Sequence, residues 1–499
     1  MSTTPGFEPY VLTPLDHILW HFSLSTFYTF KLDNPFMAIP ILEAGANKLI
    51  SQYPFLTGNI IERRATGERK GICEVQPPSE EYMALHPFLN IKYHQRKIPS
   101  SSTGPSDSES VCTDSLYNGE FIPVPFGQNR SDLQPLLRIQ ANIMADGIIL
   151  CASVHHRAMD AYGFFLIMKT FAAYCAGSEP VASFSPDPTD QAYARQQITK
   201  SARENLMNYG ELYGYSHLCD YNGEKDESPD APISRLYKLS AARIQRLKTI
   251  CESLASTLLS KEEIEDLHNS NTKRSGGLFT QNDIVTSLIG LCGARARKQD
   301  LFSPSSLAFA ANMRSFLQPS QLKNYAGNVV GVPRVSFLTQ QGTDVSNSLK
   351  LNTILKTQTL FDPDDLFLLF NLALNVRRAI QSINNDYACG LISHIIHQND
   401  WGALTNASSD ITVSNLRHVP MYELDFGPII GKPQSFDLPE NRVEGVAWIL
   451  PARPPSPTSD YYEAADAPWE FRLTLRQEAI DRLLQDKLFQ SMCPPTSKL

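Results

Sequence analysis

One stretch constrains this chain more than any other. Ile148 to Val154 is an almost purely apolar run that ends in His155-His156, and a second apolar block, Tyr162 to Cys175, follows soon after. The first run has strand length, whereas the second, reading FFLIMKTFAAYC, is too long for a strand and is predicted to be a buried helix. Upstream, Leu136 to Ile143 is a second strand-like run, joined to the first through the turn residues Ala145-Asp146-Gly147. A buried hairpin feeding a buried helix predicts layered α/β architecture, not a bundle or an all-β sandwich. It also places the polar residues His155 to Asp160 at a strand end, where open α/β sheets gather ligand chemistry.

At 499 residues the chain exceeds one ordinary core. Two stretches break its periodic patterning, Ser100 to Ser115 and Gly177 to Asp187, and Cys219 to Pro232 is again charged and loop-like. They predict two α/β halves, 1–185 and 235–499, joined by a crossover over 186–234, in which Asp190 to Tyr213 is polar with helical spacing. Ala38 to Tyr53, Ala241 to Leu259, Asn282 to Arg297, Leu366 to Ser382 and Gln477 to Phe489 carry helical spacing. Arg235 to Lys238, Ser306 to Met313, Ile411 to Val413, Val443 to Leu450 and Glu470 to Leu475 read as strands.

Several function classes fall away. A formal charge of -8 argues against nucleic acid and anionic membranes as partners. Nine dispersed cysteines include no CxxC pair, which leaves neither a disulfide framework nor a zinc ribbon. Met1 to Asp16 lacks the pattern of a signal peptide, and no apolar run approaches the roughly 18 residues of a membrane span. A reduced intracellular protein, monomeric and without a metal, is expected. The chain ends in Ser497-Lys498-Leu499, the peroxisomal address, so recognition by an import receptor is expected as well. There is no G-x-S-x-G elbow for a serine acyl-enzyme, and His394 and His397 lack the H-E-x-x-H arrangement of a zinc protease.

What remains is Val154-His155-His156-Arg157-Ala158-Met159-Asp160. An imidazole near its ordinary pKa of about 6.5 accepts protons at neutral pH, and acyl transfer to a hydroxyl needs such a base. Adjacent strand residues point to opposite faces, so only one of the two histidines can face a site. His156 is the favoured one. Asp160 also stands where the cap of the following helix belongs.

These residues resemble the BAHD acyltransferase family, in particular its fungal branch of trichothecene acetyltransferases. The family's H-x-x-x-D-G appears as His156, Asp160 and Ala161, with Gly163 nearby to supply the space of the missing glycine. Its second signature appears as Asp425-Phe426-Gly427-Pro428-Ile429-Ile430-Gly431-Lys432-Pro433. Leu12-Thr13-Pro14-Leu15-Asp16, Asn282-Asp283, Arg295-Ala296-Arg297, Asn312-Met313-Arg314 and Asn324-Tyr325-Ala326-Gly327-Asn328 follow the family's order, so the likeness spans nearly the whole chain.

The resemblance implies two chloramphenicol-acetyltransferase-like α/β domains with an active-site tunnel between them, where an acyl-CoA, most commonly acetyl-CoA, meets a small-molecule acceptor at His156. It implies that Asp160 pairs with Arg314, that Ser414 donates to the oxyanion, and that Asp425, Phe426, Gly427 and Gly431 are architectural, near the tunnel wall. Arg295, Arg297, Lys323 and Lys432 are the basic candidates for CoA phosphates. The implied reaction is direct transfer in a ternary complex to a hydroxyl of a fungal secondary metabolite, first an ergot-type indole alkaloid. A trichothecene or other terpenoid, N-acylation, a free-standing condensation domain using carrier-protein thioesters, and a non-catalytic scaffold are the alternatives.

Overall fold

Sheets form where the sequence concentrates β-branched and aromatic residues. The computed structural model describes residues 6–64, 69–99, 119–124, 134–180, 187–202, 230–269, 277–298, 303–317, 320–340, 361–402, 404, 409–438, 443–455, 463 and 466–493. In chain order, the strands of the two large sheets are β1 (Ser23–Lys31), β2 (Leu89–Tyr93), β3 (Leu137–Met144), β4 (Gly147–His155), β5 (Ile233–Leu239) and β6 (Ser305–Phe309). They continue with β7 (Arg334–Phe337), β8 (Ile411–Asn415), β9 (Ser435–Asp437), β10 (Val446–Ile449) and β11 (Trp469–Leu475). The first sheet runs β9-β1-β4-β3-β2 and the second β7-β6-β8-β10-β11-β5.

The predicted hairpin is β3 and β4, and all nine residues of β4 are buried, which explains its near-absence of alternation. The helix α1 (Ile39–Gln52) packs against α2 (Ala161–Cys175), the apolar block after the histidines. In the second half, α5 (Gln281–Arg297) lies on β8 and β6, with α6 (Pro363–Gln381) against it. Each half has its own apolar core, and a third cluster joins Leu15 and Ile18 to Leu322, Tyr387 and Leu391. Here α3 and α4 denote Pro188–Lys200 and Ala241–Leu258, and α7 denotes Asn385–Ile396.

Four features could not be read from local patterning. By sequence β9, at 435–437, belongs to the second half, yet it pairs antiparallel with β1 in the first sheet. Within the crossover, α3 is docked: Gln191 donates to the Asn324 carbonyl and accepts from Ala326 N, each at 2.8 Å. The run Ser306 to Met313 breaks after Phe309, because Ala311–Asn312 leaves β8 and pairs with Val330–Gly331. The last helix breaks at Asp486, an extended residue whose carboxylate caps a new helix by accepting from Phe489 N. The Ser100 to Ser115 loop, most of Cys219 to Pro232, residues 181–186 and the Ser497-Lys498-Leu499 tail lie outside the described residues.

Candidate active site

β4 delivers two histidines to opposite environments. His155, the last strand residue, is fully buried and its Nδ1 accepts from Arg157 N at 3.2 Å. Burial, with His21, Arg157 and His156 nearby, holds its pKa well below the ordinary imidazole value. His156 starts the turn beyond the strand and is half-buried. Its backbone is fixed on both sides: N donates to Phe22 O at 2.9 Å, and its carbonyl accepts from Asn328 Nδ2 at 3.1 Å. The ring meets Trp20 edge-on, with centroids 6.0 Å apart.

His156 Nδ1 is sealed from solvent without a hydrogen bond of ordinary geometry among the described residues. Among the described residues, Nε2 is neither sealed nor hydrogen-bonded, so it is the nitrogen presented to the cavity that His156 lines. Burial lowers the His156 pKa, opposed by the adjoining backbone groups of His156 and Met159 and by the Asp160 carboxylate. The ring is therefore neutral at pH 7, with a lone pair available for a proton.

Asp160 fills both roles the sequence allowed. Its Oδ1 accepts from Gly163 N at 2.8 Å, which caps α2. The same carboxylate takes Arg314 in a two-pronged pair, at 2.8 and 2.9 Å, and also accepts from Val329 N at 3.0 Å. Arg314 spends its remaining donors on the carbonyls of Tyr325 and Gly327 and on Asn312 Oδ1. Asp160 thus fixes the turn that carries His156 and keeps no oxygen free for chemistry. The missing family glycine is explained too: Gly163, not position 161, faces the crossing chain, and a Cβ there would stand 1.8 Å from Ala326 O.

A second clamp was invisible to local patterning. Asn328 donates from Nδ2 to the carbonyls of His156 and Arg157, at 3.1 and 2.9 Å. Asn328 is held in turn by Asp16 Oδ1, which accepts from its N and Nδ2 at 3.2 and 2.8 Å. The other Asp16 oxygen closes a capping box with Thr13. Burial pushes the Asp16 pKa up to about 6 although these hydrogen bonds oppose it. The sequence had flagged Leu12 to Asp16 and Asn324 to Asn328 only as matched segments. Their side chains meet beneath the histidine turn.

The cavity, of about 400 Å³, lies between the two large sheets. Its wall includes His156 beyond the end of β4, Ala310 to Asn312 beyond β6, Ser414 and Asn415 at the end of β8, and Trp448 of β10. Since β6, β8 and β10 are parallel neighbours, their carboxyl ends open on one side. Ser414 has no protein partner for its hydroxyl among the described residues, whereas Asn415 is committed to Asn282 and to Arg417 N. A free hydroxyl across a cavity from an imidazole can donate to a developing oxyanion.

Other predicted residues stand elsewhere. Phe426 is buried between Phe30 and Phe171, at 5.2 and 5.7 Å between centroids. The Asp425 carboxylate accepts from Gly427 N, and Gly427 and Gly431 close the turn through Gly431 N to Gly427 O at 2.7 Å. None of these residues is among those lining the cavity. The basic set does not assemble either. Arg295 pairs with Asp365 and Asp486 at 2.7 and 3.3 Å, Arg297 with Glu444 and the Asp410 carbonyl, and Lys323 and Lys432 are exposed. None of the four lines the cavity. His394 and His397 sit at the end of α7, and no metal-binding cluster occurs among the described residues.

Known proteins resemble this chain along most of its length. The chain matches the Transferase family over residues 110–453. It is 28% identical over 498 residues to the communesin N16 acyltransferase cnsK of Penicillium expansum, covering 98% of each chain. The fumigaclavine B O-acetyltransferase easN of Aspergillus fumigatus is 27% identical, again with 98% of each chain covered. Among solved structures, TRI101 of F. graminearum, complexed with coenzyme A and deoxynivalenol, superposes with a TM-score of 0.71 at 17% identity. That match covers 97% of this chain and 99% of TRI101, and it establishes the shared fold.

Proposed function

The chain belongs to the Transferase (BAHD) family of CoA-dependent acyltransferases, and from that premise we propose that His156 is the general base of an O-acetyl transfer from acetyl-CoA to a hydroxyl of a polycyclic secondary metabolite. The observation that carries the proposal is the position of His156. Its Nε2 is open to the cavity between the halves, while its backbone is bound from both sides.

In the mechanism, Nε2 takes the acceptor proton as the oxygen attacks the thioester carbonyl. The tetrahedral oxyanion is held by the Ser414 hydroxyl. Collapse breaks the carbon–sulfur bond, and the imidazolium returns its proton to the departing CoA sulfur, so the base is regenerated. A positioned base of this kind contributes ~10²–10⁴ in rate. Asp160 acts at one remove, through the turn it fixes.

An alkaloid-type acceptor is supported by the likeness to the fumigaclavine B enzyme. Terminal Ser497-Lys498-Leu499 supports a peroxisomal site of action. The deciding experiment incubates the protein with acetyl-CoA and a metabolite extract of the source organism. One product should gain one acetyl group as free CoA thiol appears. Thioester left unconsumed across such extracts would remove the reading.

A further inference from the structure

We propose that the acceptor enters this cavity uncharged: a neutral fused-ring molecule, with any amine it carries in the free-base form. The proposal rests on the acyltransferase reading of the cavity and narrows the class of acceptor. The walls are mostly apolar, with Trp20, Leu24, Met159, Phe164, Val332 and Trp448 contributing large surfaces. Among the described residues, the only Asp, Glu, Lys or Arg side chains in the lining are Asp160 and Arg314.

Those two cannot serve a ligand. Each Asp160 oxygen already accepts two hydrogen bonds, one from Arg314 and one from a backbone N–H. Arg314 is spent on Asp160, three backbone carbonyl contacts and Asn312. An ammonium group placed here would lose its water and find no counter-charge, which disfavours the charged form strongly. The tryptophan faces attract cations, but too weakly to replace a missing carboxylate. The three further titratable lining groups are His156, His418 and Tyr162: the two imidazoles can only add positive charge, and Tyr162 contributes a phenol hydroxyl, not a carboxylate. A volume of about 400 Å³ suits a small ring system and not a polymer segment.

The test uses the full-length protein and three matched probes: a neutral tetracyclic secondary alcohol, its tertiary-amine analogue, and the N-methylated quaternary salt. Binding is read from the fluorescence of the tryptophans, two of which line the cavity. The quaternary salt should bind on the order of 100-fold more weakly than the neutral alcohol, and the tertiary amine should bind tighter as pH rises toward its own pKa. Quaternary and neutral probes binding within about threefold of each other, or a neutral probe that does not bind, overturns the proposal.

Val419→Asp adds a carboxylate at a half-buried position in the wall and should improve quaternary binding by about tenfold. Ala311→Asp is the second such variant, for use if the first does not fold. Unchanged quaternary binding in a folded variant means charge is not what excludes the salt, and the idea fails. The acyltransferase reading fails by a different readout. A neutral probe that binds yet never receives an acetyl group leaves the charge argument standing and removes the chemistry.

Discussion

The two signature segments of this chain, the turn at His156 and the turn at Asp425 to Gly431, are equally conspicuous in sequence and opposite in design. Around His156 the backbone is satisfied and the side chain is not: Phe22 and Asn328 hold the peptide groups, while, among the described residues, Nδ1 has no hydrogen bond of ordinary geometry and Nε2 opens on the cavity. Around Phe426 both are satisfied. The ring fills a space between Phe30 and Phe171, and Asp425 Oδ1 accepts from Gly427 N. On the proposed function, the base is marked by unmet need on a rigid support, and the second turn by having none.

Substitution separates the two most sharply at their central side chains. His156→Ala should lower kcat by ~10²–10⁴ and leave the melting temperature near its original value, since it removes a half-buried ring that makes no hydrogen bond of ordinary geometry among the described residues. Normal turnover in that variant would discard the base. Phe426→Ala should do the reverse, costing about 3–5 kcal/mol of stability with kcat per folded molecule unchanged. Loss of kcat in a fully folded Phe426→Ala protein would place the second turn in the chemistry after all. Asp160→Asn joins the two behaviours. It strips charge from a buried pair, which costs about 3–5 kcal/mol, and loosens the histidine turn. A variant that melts unchanged but has lost activity would move Asp160 from support to direct participation.

Acid should reach the first turn before the fold. Burial lowers the His156 pKa, so the acid limb of kcat/KM should have its midpoint below the ordinary imidazole value of about 6.5, with activity falling as pH falls. Both neutral histidines also contribute stability that is present above their unfolded pKa and lost as pH drops through it. Asp16 has the opposite sign. With its pKa raised to about 6, its contribution is full below the unfolded value of 3.8 and lost as pH rises through 6. The opposing contributions should keep the melting temperature flatter than the activity between pH 7 and 5. Parallel loss of both would mean the acid limb reports unfolding, not a base.

How much of this was legible depended on distance along the chain. β4, α2 and the strand end between them follow from local apolar runs, and the structure has them where the pattern put them. The Asp160–Arg314 pair joins residues 154 apart and was reached only through family resemblance. The Asp16–Asn328 clamp spans 312 positions, and no periodicity or spacing encodes it. β1 was missed because aromatic residues crowd Pro14 to Leu32 without clean alternation; eight of its nine residues are buried or half-buried on both faces. The partners of the basic candidates were equally out of reach of local patterning. Arg295 and Arg297 close the last turn of α5, where positive charge complements the helix dipole, and their carboxylate partners come from remote segments.

The smallest predicted effect lies within the second turn and tests why it is built as it is. Gly427 and Gly431 both hold positive φ, +90° and +73°, so an alanine at either pays the left-handed penalty of about 1 kcal/mol. Their surroundings differ. A Cβ on Gly427 would stand 2.9 Å from the Ala176 Cα, at the end of α2, whereas a Cβ on Gly431 would meet nothing within 4 Å. Gly431→Ala should therefore cost little more than the backbone term. Gly427→Ala should cost visibly more, because it pushes the turn off the helix whose other end Asp160 caps. The comparison is read from two denaturation midpoints. Equal losses would show that backbone conformation alone fixes both glycines, and that the close packing of this turn on α2 is incidental.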